Sequence, residues 1–575
     1  MPLALGLLFL FGCDSHFDDT DLVCLDEADA VITADGAYAC ARIPEWIVAD
    51  AHGTPCDEPF AAAPAGSGRP THCSLAAALA RAADAGDPSP ADGRLDIVVL
   101  GKGASLACEP GPDATLASSE ILTITNPGAS ALNVIGCGIR LENAASGAPA
   151  LRIAGSVGAV SLINVELHGG GGPALVVEGN RGGVTLAGIR IPNGAAGIDI
   201  AGQTSPVTIS GGTIGPVATT AIDARGLARL DLIDTTLASD AGPVVSLSDV
   251  GGLLIANSAI TASANAAVAL LLEKLHGEAR LRNSVLTASA GDAIRLRNSA
   301  GGLWLEIRDT TIHFGEGGDG GAGLNIELTG QAAVTARLRG ARMHGKGGTA
   351  VVASENGDAQ LRLNIRRGAL LGGAAGIDLN MRQRSTLAFE ASQITEFGGY
   401  DGHPIDIQAS DASRLEAQFI GVHVRGSRLG SGLRLDLRDS ARGRVRVDDS
   451  VFEEIETGDG ITAATRGASA ALDLEISGSR IDLADTARDG VSIESGDDRA
   501  GESTVCVDLT DNDIRAGRSR VGVRLHQSGT ARLMLKNAGP GDDPLSSLTR
   551  ENRLSPNPAS LEGQLGTDEL TRCPG

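Results

Sequence analysis

Gly376-Ile377-Asp378-Leu379, Pro404-Ile405-Asp406-Ile407 and Gly432-Leu433-Arg434-Leu435 are one phrase written three times, 28 residues apart. A small residue or proline opens it, and apolar and polar residues then alternate. Upstream the phrase returns as Gly197-Ile198-Asp199-Ile200, Ala221-Ile222-Asp223, Ala293-Ile294-Arg295-Leu296 and Gly323-Leu324-Asn325-Ile326. Downstream it returns as Gly460-Ile461 and Gly490-Val491-Ser492-Ile493. From about residue 150 the chain restarts in this way every 23 to 32 residues. Self-similarity at such a period is the mark of a solenoid. Period-2 alternation inside each repeat makes its elements strands. The expectation is an all-β fold, a single-stranded right-handed parallel β-helix of about 13–15 coils with disulfide-stabilised end caps.

Composition agrees with a narrow, stacked core. Glycine is abundant (78) and aromatics are scarce, with 2 Trp, 2 Tyr and 9 Phe. Such a core fills with Val, Ile, Leu and Ala, while glycine and Asn/Asp serve the turns. The alternation predicts that Ile198, Ile200, Leu230, Leu232, Leu281, Ile294, Leu303, Leu305, Ile377, Leu379, Ile405, Ile407, Leu472 and Leu474 point inward. Net charge is −24, which argues against nucleic acid as a partner and against an anionic membrane surface for the folded part.

The apolar run Leu7-Leu8-Phe9-Leu10-Phe11 is too short to span a bilayer and suits a signal-peptide core. Its end, Leu10-Phe11-Gly12-Cys13, resembles a bacterial lipoprotein signal. The resemblance implies lipidation of Cys13, export and membrane attachment through a lipid anchor only, at the bacterial outer envelope or cell surface. An ordinary secretory signal or a mis-called start codon is the alternative. Without Cys13, eight cysteines remain: Cys24, Cys40, Cys56, Cys73, Cys108 and Cys137 before the repeats, Cys506 and Cys573 at the far end. An even number in an exported chain reads as disulfides. Pairing of sequence neighbours, the simplest order for end caps, gives Cys24–Cys40, Cys56–Cys73, Cys108–Cys137 and Cys506–Cys573. The absence of a Cys-x-x-Cys pair disfavours zinc bound by cysteine.

Cys73-Ser74-Leu75-Ala76-Ala77-Ala78-Leu79, followed by Asp96-Ile97-Val98-Val99-Leu100, resembles the N-terminal CSLREA module of bacterial exported proteins. Ala76-Ala77 stands where the family name reads Arg-Glu. The resemblance implies a short helix, which Ser74 can cap, over the open end of a pectin-lyase-like β-helix. Thr504-Val505-Cys506-Val507-Asp508, then Glu551-Asn552-Arg553-Leu554 and Cys573, is similar to the closing module of large bacterial surface β-helix proteins. The expected organisation is a signal peptide at 1–12, a tether and N-terminal disulfide segment at 13–47, a cap with the first coils at 48–140, the β-helix at 141–535 and a closing segment at 536–575.

Aligned coils place Asp378, Asp406 and Arg434 at one outward position, and Asn380, Gln408 and Asp436 two residues further on. Two carboxylates and an arginine on an exposed sheet are parts that a polysaccharide lyase or glycosidase uses, with Ca²⁺ as the ion they could take. A solvated ladder of self-neutralising charge is the better reading, because any two Asp on neighbouring rungs have this spacing. Motifs of the known catalysts are missing. Asp448-Asp449 is present, but His344-Gly345 precedes it, no Arg-x-Lys follows, and there is no Asp-Pro-His-Glu box. Gly317-Gly318-Asp319-Gly320-Gly321 is a single copy, not a calcium-binding nonapeptide array. His313 and His344 fall at like places in adjacent coils. No third metal ligand follows, since the next coil offers Leu371, and chance alignment is the better reading. Asp234, Asn257, Asn283, Asp309 and Asp449, each before a Ser or Thr, are expected to form a structural turn ladder with coil-to-coil hydrogen bonds. The expected role is a non-catalytic, structural, adhesive or glycan-interacting surface protein, a monomer with polysaccharide or a surface protein as partner. A lyase or hydrolase is the alternative.

Overall fold

Alternation of β-branched and leucine side chains with polar ones builds short strands, and each repeat lays its strands beside those of the next. The computed structural model describes isolated strands between Asp29 and Ser118 and most of residues 121–562. Outside the description are 1–28, 33–37, 42–47, 51–93, 101–113, 119–120, 127–130, 144–146, 264, 266–267, 318–319, 394, 497–501, 537–542 and 563–575. The signal segment, Cys13, the CSLREA-like helix, Cys24, Cys56, Cys73, Cys108 and Cys573 lie outside the described residues, as do the side chains of Cys40 and Cys137.

The chain forms a β-solenoid of about 14 turns, all-β with almost no helix. It divides into two units, Met1–Ala218 with Leu227–Thr236, and Thr219–Gly226 with Leu237–Gly575. In the first, Leu122–Ile124, Leu151–Ala154, Pro173–Glu178 and Ala196–Gln203 form one parallel ladder. Val160–His168, Val184–Ala187, Val207–Ser210 and Leu230–Ile233 form another. Among the described residues an antiparallel pair, Asp29–Ile32 with Tyr38–Ala41, is the exception to parallel pairing.

The second unit carries three strands per coil, and each pairs with its counterpart one repeat on. One ladder runs through Ala322–Leu328, Thr349–Glu355, Ala375–Met381, Ile405–Ala409, Leu433–Arg438 and Ile461–Arg466. A longer-stranded ladder includes Gly302–Arg308, Ala333–Arg339 and Gln360–Arg366. A short-stranded one includes Thr311–Phe314 and Arg342–Gly345. The inward residues expected from the sequence are all buried, none more than 4% exposed. Burial of a Leu or Ile side chain is worth about 1.5–3 kcal/mol, which makes this register the cohesive element of the fold.

Tight bends between the long and short strands need left-handed backbone. Asp234, Asn257, Asn283, Asp309 and Asp449 supply it, with φ between 47° and 53°. Gly478, one coil beyond Asp449, takes φ 58° at the same bend. The bend residues' amides donate from coil to coil, Asn257 N–H to Arg282 O at 3.1 Å and Asp449 N–H to Ser477 O at 3.0 Å, whereas the side-chain bonds between coils are made at the residue after each bend. The Ser258 N–H donates to Ser284 Oγ at 3.2 Å, the Ser450 N–H to Ser479 Oγ at 3.2 Å and the Ser479 N–H to Asn512 Oδ1 at 2.9 Å. The side-chain part of the expected ladder therefore sits one residue later than the sequence suggested. The reason is geometric: a left-handed bend turns its own side chain toward solvent and the next one inward.

Among the described residues one helix, Pro544–Glu551, departs from the all-β expectation. Asp543 caps it, accepting from the Ser546 N–H at 3.1 Å, with proline in the first turn, where the amide would otherwise lack a partner. Leu548 is fully buried, and Asn552 donates Nδ2 to Leu509 O at 2.7 Å. Strands Arg553–Ser555 and Asn557–Glu562 then extend two of the ladders.

Candidate functional site

Parallel register places Asp378 beside Asp406 and Asp406 beside Arg434, and likewise Asn380 beside Gln408 and Gln408 beside Asp436. Adjacent rungs are about 4.8 Å apart, so the six polar side chains share one outward surface. The sequence expectation of an exposed sheet is corrected in part: Asp406 is 9% exposed and Asp436 3%. Neighbouring side chains cover them. Arg434 Nη1 donates to Asp406 Oδ2 at 3.4 Å, and its Nη2 lies 3.5 Å from Asp436 Oδ2. Gln408 Nε2 donates to Asp406 Oδ2 at 3.1 Å, and Arg438 Nη2 donates to Asp436 Oδ2 at 2.6 Å. Arg382 Nε donates to Asn380 Oδ1 at 3.2 Å. The second carboxylate oxygens of Asp406 and Asp436 are buried with no hydrogen-bond partner.

Burial, and next the Asp406 charge, raise the Asp378 carboxyl above its ordinary range, with Arg434 opposing. Burial lowers the nearby His403 imidazole, opposed by the Asp406 charge. Its Nδ1 accepts the Ser431 N–H at 2.9 Å, a bond that requires an unprotonated Nδ1. His403 belongs to a column the sequence reading missed. Asp292, His403, Ser431, Asp459 and Asp489 each accept the backbone N–H that opens the following coil, at 2.8–3.2 Å. The signal was available: these residues stand two positions before the first apolar residue of each coil. They cap strands.

Two shallow depressions among the described residues are lined elsewhere. One includes Asp511, Arg550 and Arg553, the other Arg362, Asn364, Glu390 and Glu416. Aromatic faces suited to sugar rings are engaged by arginine. The Arg337 guanidinium sits 4.2 Å from the Trp304 ring centre and that of Arg428 5.5 Å from Tyr400.

His313 and His344 are register partners. Glu316, which the sequence reading missed, joins them, and the three offer ligand atoms within 4.8 Å of one another. The sequence search followed the stacking column, whereas Glu316 arrives from the loop of the same coil. At the C-terminal end, Cys506 is buried and disulfide-bonded.

Comparison with known proteins finds no matching family model, no matching curated protein and no matching solved structure.

Proposed function

We propose that this chain is a non-catalytic, exported β-solenoid with a structural or adhesive role at a bacterial cell surface, and with polysaccharide or a surface protein as its partner. The observation that carries this reading is Arg434, whose guanidinium lies against the carboxylates of both Asp406 and Asp436. A base or nucleophile must be free to meet substrate, and these carboxylates are committed to their neighbours. The pattern continues along the second unit. Arg282 pairs with Glu306 at 2.8 Å, Arg297 with Glu327 at 2.9 Å, Arg366 with Glu390 at 2.9 Å and Arg524 with Asp489 at 2.7 Å, each across adjacent coils. Such pairs add little stability one by one, but they tie up the charge that a catalytic surface would leave accessible.

The finer reading is a right-handed coil, the sense that twisted parallel strands favour, closed by disulfides at its ends and anchored through lipidated Cys13. The second reading, a polysaccharide lyase or glycoside hydrolase, is favoured only by the raised Asp378 carboxyl beside Asp406. Incubation with a panel of neutral, uronic and sulfated polysaccharides tests both. The expected result is no release of unsaturated or reducing ends. Release that disappears in Asp378→Ala or Asp406→Ala overturns the proposal.

A further inference from the structure

We infer that His313, His344 and Glu316 form a binding site for a first-row divalent metal ion of the Zn²⁺ type. The inference is independent of the role proposed above. Strand Thr311–Phe314 buries Ile312 and Phe314 and turns His313 outward. Strand Arg342–Gly345 buries Met343 and turns His344 outward. Parallel register then stacks the two imidazoles on neighbouring rungs.

The chain leaves the first of these strands through Gly315, with φ 57°. A Cβ there would lie 2.8 Å from Gly347 O, so glycine is required on two counts. The bend returns Glu316 to the side of His313, and the Gly317 N–H fixes it by donating to Ser289 O at 2.8 Å. The carboxylate meets Lys346 Nζ at 2.9 Å.

The ring nitrogens distinguish this site from the other histidines among the described residues. His168, His403, His423 and His526 hydrogen-bond to Glu166, Ser431, Glu453 and Ser528 respectively, and His276 lies 3.8 Å from Asp249. Neither His313 nor His344 makes a hydrogen bond among the described residues. A half-buried and an exposed imidazole with uncommitted nitrogens, facing a half-buried carboxylate, form an N₂O donor set. That set suits Zn²⁺ and its neighbours and does not suit Ca²⁺ or Mg²⁺, which require oxygen ligands.

The geometry is close to what the ion needs. A tetrahedral ion with bonds of about 2.1 Å holds its ligand atoms about 3.4 Å apart. Donor atoms already within 4.8 Å need at most about 1.4 Å of closure, which rotation of three surface side chains supplies. Binding displaces Lys346 from Glu316 and leaves a fourth position for water.

The test is calorimetric titration of the full chain, stripped with chelator, using ZnCl₂ alone. The expected result is one Zn²⁺ bound through this site, with X-ray absorption showing two imidazole nitrogens. His313→Ala and His344→Ala should each weaken that binding tenfold or more, as should Glu316→Gln, with circular dichroism unchanged. Lys346→Met should tighten it, because the competing ammonium is gone. CaCl₂ should give no heat at this site. The inference fails if the wild-type chain takes up no zinc, or if the His313→Ala/His344→Ala double variant binds it with wild-type affinity and stoichiometry.

Discussion

Arg434 donates Nη1 to Asp406 Oδ2 at 3.4 Å from the next coil, and so neutralises a carboxylate that is 9% exposed. The same guanidinium lies 3.5 Å from Asp436, which is 3% exposed. Removing the cation leaves two buried carboxylates, each already short of one hydrogen bond. Arg434→Met should cost about 1–3 kcal/mol of stability, while Asp406→Asn, which removes one of the charges, should cost less. Chemical denaturation of the two variants checks the order. Equal stability of Arg434→Met and wild type would remove the structural role given to this arginine.

Glu355 is the clearest conflict within the core. It is 1% exposed between Leu328 and Met381, and neither carboxylate oxygen has a hydrogen-bond partner. Burial pushes its carboxyl well above the usual range, so the folded chain holds this proton more tightly than the unfolded chain does. The corresponding stability is fully present below the unfolded pKa of about 4.3 and is lost as pH rises toward the folded value. Glu355→Met, which continues the apolar column of its neighbours, should flatten that slope. It should raise stability near pH 7 by about 1–3 kcal/mol. Denaturation midpoints between pH 4 and 8 for both proteins provide the measurement.

Leu474 and Leu472 show what a repeat makes legible. Both were placed inward from alternation alone, and they are 0% and 2% exposed. In a parallel coil every neighbour repeats the register, so an error of one residue would have exposed the whole inward set. Leu474→Ala should therefore cost about 2–5 kcal/mol, read as a lowered denaturation midpoint with the secondary structure retained below it.

The outward side is less legible for physical reasons. Alternation places Asp406 on an outward face but does not say that Arg434 and Gln408 will cover it. Repeat alignment pairs His313 with His344, yet it is blind to Glu316, because loop geometry depends on Gly315 rather than on any period. The strand-capping column of Asp292, His403, Ser431, Asp459 and Asp489 uses five residues of three types. The shared property is an acceptor atom, which a search for identical letters passes over.

The turn ladder separates two roles that adjacent residues share in the sequence. Asp449 sits at φ 47°, where its task is to hold a left-handed bend. Asn512, one residue beyond a bend of the same kind at Asp511 (φ 55°), is 2% exposed and fully engaged. Its Nδ2 donates to Ile476 O and to Asn552 Oδ1, both at 2.9 Å, and its Oδ1 accepts the Ser479 N–H at 2.9 Å. Asn512→Ala strands a buried carbonyl and a buried N–H on the preceding coil. It should cost about 2–4 kcal/mol. Asp449→Asn keeps a residue that tolerates left-handed backbone and should change stability by under about 0.5 kcal/mol. Asp449→Val puts a β-branched residue at positive φ and should cost about 1–2 kcal/mol. Denaturation midpoints of the three variants separate the roles. A larger loss for Asp449→Asn than for Asn512→Ala would return the side-chain bonds between coils to the bend residues.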